Sequence, residues 1–416
     1  MKGMKGCLKI LYLVHQFYPE HYRGTEKFVL NMASMMQKMG HQVTVLTHGS
    51  YDFSFYDQQM ENVYYKEMMY KGIPVIVFRM KRNSKKLNHN LGNESLKIFA
   101  GKILEYIKPD LIHVGHSKRV AEFITVAKTL RIPYIITLTD FFLMCPKGVL
   151  LNSKRELCDG PRCGHQCRYS CPQFSQEWVT DRYAKGKDIL CGAHKVFAPS
   201  RFVAGKFNEE FPGLKVKVIN HGIKYSTIKM NNRIYKENDS LVFCYAGGLK
   251  NHKGVHLLID AFLKLKFKNV QLKIFGSGCE SYLKKLKSKS GDDPRIEFCG
   301  IFEEQHVGEV LSGVDAVILP SLWYENYPLI LHEAVACRLP VICSDAGGMS
   351  EKIKDGWNGF TFPVGDKKKL RSIIEKVTRD ATILNELKKN LSSSLIPSIE
   401  QEAYAYEKEY RRILVW

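Results

Sequence analysis

Apolar and polar positions along the chain fall into regular alternating blocks. Short, nearly continuous apolar runs occur at Leu8–Phe17, Gln42–His48, Pro74–Arg79, Leu111–Gly115, Pro133–Thr139 and Lys195–Pro199. They are rich in Ile, Val, Leu and Tyr, as a strand buried on both faces must be. Between them lie stretches with apolar residues near helical spacing. Glu26–Met39 carries Phe28, Leu30, Met32, Met35, Met36 and Met39, and Leu96–Ile107 is similar. Strands alternating with amphipathic helices predict a parallel sheet covered by helices on both faces.

The pattern then restarts. Strand Leu241–Ala246 leads to helix Gly254–Lys266, and strand Val270–Phe275 ends in Gly276-Ser277-Gly278. Strand Arg295–Cys299, helix Glu303–Ser312, strand Ala316–Pro320, helix Pro328–Cys337 and strand Pro340–Ser344 follow. Two doubly wound α/β domains are therefore expected, 1–223 and 224–397. The polar stretch Lys224–Ser240 is the expected linker at the start of the second. A break at Ile396-Pro397 precedes a last helix, Gln401–Leu414, and the segment 398–416 is expected to pack back onto the first domain. Open parallel sheets bind ligands beyond the carboxyl ends of their strands. Two such sheets facing each other would make a cleft with its chemistry on the loops just after strands.

Composition narrows this picture only in part. A chain of 416 residues with 45 % hydrophobic and 25 % charged residues is an ordinary globular length and balance for two domains. No apolar run approaches the ~18–20 residues of a membrane helix. Met1–Leu11 lacks the long apolar stretch and small-residue cleavage site of a secretory signal, so a cytoplasmic location is expected. The formal charge of +20 favours anionic partners without specifying fold. A lysine-rich, solvated surface is one reading. Attraction to the inner face of an anionic membrane is another, worth ~1 kcal/mol per well-placed Lys or Arg. No zinc finger, RNP-type aromatic pattern or basic recognition helix points to specific nucleic-acid binding.

The segment Pro320-Ser321-Leu322-Trp323-Tyr324-Glu325-Asn326-Tyr327-Pro328, running into Leu329-Ile330-Leu331-His332-Glu333-Ala334, carries the strongest chemical signal. A buried strand ends at Pro320, and a helix is predicted from Pro328, a residue suited to a first turn. The unbonded amides of that turn suit a diphosphate. Glu325 on the loop can reach a sugar hydroxyl, and Glu333 can accept from ribose hydroxyls. Spacing alone fits better with two surface glutamates flanking a buried helix.

Glu325, seven intervening residues and Glu333, in the context Pro-Ser-x-x-x-Glu-x-x-Pro, resemble the signature of glycosyltransferase family 4. The resemblance extends to Gly247-x-Leu249 with Lys253-Gly254, to Gly347-Gly348, to Asp355-Gly356 with Asn358-Gly359, and to Gly24-Thr25-Glu26. It implies a GT-B fold, two Rossmann-like domains facing across a cleft, and a retaining transfer from a UDP- or GDP-sugar. On that resemblance Glu333 holds the donor ribose, and Glu325 stands near the donor sugar. Backbone around Tyr327, Pro328, Leu329 and Ile330 faces sugar and phosphate. Lys253 neutralises the diphosphate, Gly24 lets its loop approach the donor phosphate, Gly248 is a further donor-binding position, and Gly276 and Ile301 border the nucleoside. Asp140 is a further catalytic candidate beside Glu325 and Lys253. The family's account is front-face attack with no catalytic metal. Three positions depart from its pattern. Arg23 stands where the first of two glycines is usual, Gly248 where arginine is frequent, and Thr139 where a histidine commonly contacts the transferred sugar.

Twelve cysteines in a reducing compartment should be mostly free thiols. Cys244, Cys299, Cys337 and Cys343 sit in apolar runs and read as small core residues. Cys145 precedes Pro146, and Cys158, Cys163, Cys167 and Cys171 follow in a Gly- and Pro-rich loop with separations of four, three and three residues. A loop this long needs a staple or a partner. Structural zinc or an iron–sulfur cluster on Cys158, Cys163, Cys167 and Cys171, disulfides, and plain thiols all fit the spacing. His165 is an added possible ligand.

The leading expectation is a retaining glycosyltransferase acting on a glycan, lipid-linked or other cell-envelope acceptor. A GT-B sugar-nucleotide epimerase or hydrolase, and a non-enzymatic polyanion-binding module, are the alternatives. A dehydrogenase is disfavoured, since no Gly-x-Gly-x-x-Gly follows the first strand.

Overall fold

The computed structural model describes residues 6–81 and 89–414. Positions 1–5 of the Met1–Leu11 reading and 415–416 of the last segment lie outside the described residues. The chain divides into two compact units. The first comprises residues up to 154, 158–221 and 399 onward, and the second comprises 155–157 and 222–398.

The first unit is built on β1 (Lys9–Val14), β2 (Gln42–His48), β3 (Gln58–Met60), β4 (Val63–Tyr70), β5 (Ile73–Met80), β6 (Leu111–Val114), β7 (Tyr134–Thr137), β8 (Lys195–Ala198) and β9 (Val216–Val218). Their order is β3-β4-β5-β2-β1-β6-β7-β8-β9. The central strands are parallel, and β6 and β7 are buried at every position. The apolar pattern predicted a parallel sheet, and this sheet departs from it at one edge. The edge strands β3 and β4 pair antiparallel, β4 against β5 in register Tyr70↔Ile73. The two-residue turn Lys71-Gly72, both at positive φ, has the twist a tight hairpin needs. β4 is only half-buried along its length, which is why its apolar pattern is broken.

Helix Ile399–Leu414 belongs to this unit. Ile399, Ala403, Tyr406, Tyr410 and Ile413 are buried in one cluster with β1 and helix Gly24–Lys38. Its tyrosines end in a buried polar network. The Tyr410 hydroxyl meets His113 Nδ1 at 2.6 Å, His113 Nε2 meets Thr137 Oγ1 at 2.7 Å, and Thr137 meets the Tyr406 hydroxyl at 3.0 Å. Burial, then nearby His221, pushes His113 down to about 3, so the network operates with a neutral imidazole.

The second unit holds β10 (Leu241–Ala246), β11 (Val270–Phe275), β12 (Ile296–Gly300), β13 (Ala316–Leu319), β14 (Val341–Ser344) and β15 (Gly359–Phe362). They form an all-parallel sheet in the order β12-β11-β10-β13-β14-β15. Strand order reverses at the β10/β13 pair, and in the first unit at the β1/β6 pair. Such switch points leave a crevice at the carboxyl ends.

The predicted linker Lys224–Ser240 is fastened to the second unit at Asn231 and Tyr235, while most of its other residues are exposed. Asn231 donates from Nδ2 to Val314 O at 2.8 Å, and the buried Tyr235 donates its hydroxyl to Asp315 at 3.0 Å. Asn385 bonds the Tyr235 backbone in both directions. Among the described residues no helix is long and apolar enough to cross a membrane.

Candidate active site

At the switch point of the second unit, Lys253 follows β10 and Glu325 follows β13. Lys253 Nζ lies 2.7 Å from Glu325 Oε1 and 3.0 Å from Oε2. Ser321 Oγ donates to the same Oε1 at 2.5 Å, and Trp323 Nε1 donates at 2.8 Å. The Lys253 ammonium also lies over the Trp323 ring, 4.9 Å from its centre. Glu325 is buried. Burial alone would raise its carboxyl pKa, but the Lys253 charge and the hydrogen bonds from Lys253, Ser321 and Trp323 win and hold it below the usual carboxylate value. Oε1 takes three donors, whereas among the described residues Oε2 receives the longer contact to Lys253 alone. A carboxylate oxygen can take more, so Oε2 has capacity for one incoming hydroxyl.

Two glycines make this geometry. Gly254 sits at φ +72, and a Cβ there would fall 1.8 Å from Pro320 O. The Lys253 turn can reach the Pro320-Ser321 loop only because that atom is missing. The loop is tied there by Leu322 N–H donating to His252 O at 2.8 Å. Gly347, at φ +69, lies against the Glu325 backbone, where a Cβ would sit 2.3 Å from Glu325 O. Gly348 N–H donates to Glu325 O at 2.6 Å. Glu325 is thus held by its main chain as well as its side chain.

Helix Leu329–Ala336 starts after Pro328, its N-cap. Leu331 N–H bonds back to Pro328 O at 3.0 Å. The amides of Leu329 and Ile330 have no place in the helix's own ladder. Glu333 is buried within this helix. The Tyr327 and His332 rings stack at 3.5 Å, and His332 Nδ1 contacts Pro328 O at 3.0 Å, which fixes the first turn. Gly248 is exposed after β10 and Ile301 is 62 % exposed after β12. Gly276, after β11, donates its N–H to Gly300 O at 2.6 Å. The second unit therefore gathers Lys253, Glu325 and the Tyr327–Ile330 turn at one switch point, with Gly248, Gly276 and Ile301 on loops at the same sheet edge.

Gly24 and Asp140 belong to the first unit. Gly24 is exposed at the start of helix Gly24–Lys38, and a Cβ there would meet nothing within 4 Å. The turn before it is fixed by buried Glu26, which accepts from Arg23 N–H at 2.7 Å and from Gln16 Nε2 at 2.6 Å. Asp140 follows β7, and its Oδ2 lies 2.8 Å from His116 Nε2. His116 Nδ1 accepts from Lys118 N–H at 3.1 Å, so the ring hydrogen is on Nε2 and is donated to Asp140. His116 in turn packs on His15, ring centres 3.9 Å apart. Burial, and after it nearby positive charge that includes Lys118 and Arg119, holds the His15 pKa well below its usual value. Thr139, where a histidine was expected on the resemblance, donates to Gly115 O at 2.8 Å. A histidine still meets Asp140, but it comes from the neighbouring strand end. His15 and His116 were not among the residues the motifs singled out, and Ser321 and Trp323 stood in the quoted segment without an assigned role. His116 was discernible as the residue right after the predicted strand Leu111–Gly115.

All twelve cysteines are free thiols, and Cys163 is exposed. Among the described residues no group of three or more His, Cys, Asp or Glu side chains is arranged to hold a metal ion. Cys163 stands apart from its neighbours in the loop: its thiol faces the Tyr183 hydroxyl at 3.6 Å, and its amide donates to Glu210.

Two family models match the chain in succession. The one described as Glycosyltransferase Family 4 covers residues 22–226, and the one described as Glycosyl transferases group 1 covers residues 228–393. A glycosyltransferase of Methanocaldococcus jannaschii is 32 % identical over 161 residues, 36 % of this chain and 41 % of that protein. The lipopolysaccharide 1,2-N-acetylglucosaminetransferase of Salmonella typhimurium is 25 % identical over 189 residues, 40 % of this chain and 48 % of that one. The chain thus spans less than half the length of these two relatives. The crystal structure of Anabaena HepE in complex with UDP and glucose aligns with 97 % of this chain and 99 % of its own, with a TM-score of 0.69 and 20 % identity. That is a likeness of fold. With a GT-B fold and two consecutive family matches that together cover most of its length, the chain belongs to the glycosyltransferases of the family 4 type.

Proposed function

We propose that this chain transfers a sugar from a nucleotide-diphosphate donor to a hydroxyl of a glycan or lipid-linked envelope acceptor, with retention at the anomeric carbon. The observation that carries the reading is the pair of half-buried Lys253 and buried Glu325 at the β10/β13 switch point, braced by Ser321 and Trp323. A cation fixed there suits a leaving diphosphate, and the first-turn amides of Leu329 and Ile330 suit its oxygens. Glu325 Oε2 accepts one hydroxyl of the transferred sugar. Glu333 accepts from the ribose. Gly276 and Ile301 border the nucleoside, and Gly24 and Gly248 leave room for phosphate.

In the proposed step the acceptor oxygen attacks the anomeric carbon on the face from which the diphosphate departs. The new carbon–oxygen bond forms as the carbon–phosphate-oxygen bond breaks, and the departing phosphate takes the acceptor's proton. Catalysis then rests on positioning and charge stabilisation. The side chains of the first unit assigned to the acceptor are Asp140 and His116. UDP and glucose in the HepE structure support a uridine hexose donor, with GDP-sugars as the alternative. The activity printed for the Salmonella relative supports an envelope glycan. The +20 charge supports work at the inner face of an anionic membrane.

The test is a thermal-shift screen of UDP- and GDP-sugars, followed by transfer assays and NMR of the product's anomeric proton. A specific nucleotide sugar should raise the melting temperature and be turned over with retention. If no nucleotide sugar shifts the melt or is consumed, the reading fails. An inverted product would overturn the retaining mechanism alone.

A further inference from the structure

After Asp140 the chain runs through residues 141–175 with one helical turn, Cys167–Ser170, as its named secondary element. Hydrogen bonds nevertheless fold it closely. Gly148 N–H donates to Cys145 O at 2.9 Å, Cys158 N–H to Leu150 O at 2.9 Å, Ser153 N–H to Ser170 O at 2.8 Å and Cys171 N–H to Cys167 O at 2.8 Å. These bonds bring four of the loop's five cysteines together. Cys145, Cys158, Cys167 and Cys171 all lie within electrostatic reach of one another, pair by pair. Three of them are buried and Cys158 is half-buried. Cys163 is outside the set, exposed and turned to Tyr183.

An independent observation points to what this set holds. Arg182 is buried beside it. Its Nε donates to His89 O at 2.6 Å and its Nη2 to Phe142 O, but Nη1 is buried with no hydrogen-bond partner among the described residues. Its electrostatic neighbours are Cys145, Asp140 and Cys167. A buried guanidinium with an unbonded nitrogen is costly. A divalent ion bound by four thiolates has a net double negative charge. Arg182 and Lys147, whose charge acts on Cys171, would together balance it.

We infer that Cys145, Cys158, Cys167 and Cys171, and not Cys163, ligate one thiophilic metal centre that staples the loop carrying Asp140. Four sulfur ligands select zinc or an iron–sulfur cluster. Each thiol gives its proton to solvent and forms one sulfur–metal bond, with no change in its oxidation state. The side chains are gathered but not converged, so binding entails closure of the four thiols by side-chain rotation. Closure would fix residues 141–171, and with them the turn in which Phe142 N–H donates to Asp140 at 2.8 Å.

The test uses the full chain purified without oxygen. Metal analysis by mass spectrometry, with an assay for acid-labile sulfide, should find about one zinc per chain, or iron with matching sulfide and visible absorption. Cys158→Ser should lose the metal, and Cys163→Ser should keep it. Should Cys158→Ser prove insoluble, maleimide mapping of the wild type decides. Cys163 should label throughout, and the other four only after a strong chelator. A metal-free chain whose four thiols all label at once would overturn the inference. So would disulfides among them, or metal lost from Cys163→Ser and kept in Cys158→Ser.

Discussion

Replacing Glu325 by glutamine keeps the side chain's shape and removes its charge. The oxygen that remains can still accept from Ser321 and Trp323, but the new NH2 group faces the Lys253 ammonium. Removing one partner of a fully buried ion pair costs about 3–5 kcal/mol. Here the Lys253 side chain is 24 % exposed and that of Glu325 only 7 %, so lysine can turn to water when its partner is lost. The expected cost to the second unit is therefore about 1–3 kcal/mol. The effect on transfer should be larger, because the pair fixes the cation that meets the leaving diphosphate. Losing one preorganised electrostatic group typically costs about 10²–10³ in kcat. Steady-state kinetics over donor concentration, with calorimetric donor affinity alongside, separates the two effects. The expected pattern is a large fall in kcat with a change in donor affinity of about tenfold or less. The pH dependence has a definite sign. The folded carboxyl ionises at lower pH than the usual 4.5, so its contribution is complete above about pH 4.5 and is lost as pH falls through the folded value. The stability gap between wild type and Glu325→Gln should therefore close in acid. A variant with wild-type kcat, or a gap that widens in acid, would refute the reasoning.

Other sites allow equally direct tests. Gly254→Ala places a Cβ against Pro320 O at positive φ, which should cost more than the roughly 1–2 kcal/mol of the backbone conformation alone. The readout is a lowered thermal midpoint together with weakened donor binding, and an unchanged midpoint would contradict the close approach. Glu333→Gln should weaken nucleotide binding by about 10–100-fold, the worth of a charge-assisted hydrogen-bond pair, measured by calorimetry; equal affinity would remove Glu333 from the ribose site. His116→Ala should lower transfer by about 10–100-fold while leaving donor affinity within about twofold, and loss of donor binding instead would place His116 in a different role. Tyr410→Phe strands His113 Nδ1 in a dry core and should cost about 1–3 kcal/mol in denaturant unfolding of the first unit.

The sequence made some layers of this molecule legible and hid others for physical reasons. Central strands such as Leu111–Val114 and Val341–Ser344 are buried on both faces, so their composition alone marks them. The β3–β4 edge was hidden because it is half-exposed and mixes Tyr, Lys, Glu and Met. Lys224–Ser240 read as a linker because its residues are polar, yet Asn231 and Tyr235 turn polar groups to Val314, Asp315 and Asn385. Polar composition reports hydrogen-bonding capacity, and only the fold says whether water or protein satisfies it. The candidate site shows the same division. Lys253 and Glu325 were found because they lie in local motifs after strands, but their 2.7 Å pairing joins two strands far apart in sequence. His116 carried no motif. It matters because β6 and β7 are neighbours, and a histidine absent at position 139 meets Asp140 from the next strand end. A motif-based reading treats a missing residue as a missing interaction. Adjacent strand ends offer a substitute position at the same depth, and residues such as His116 are where that substitution should be sought.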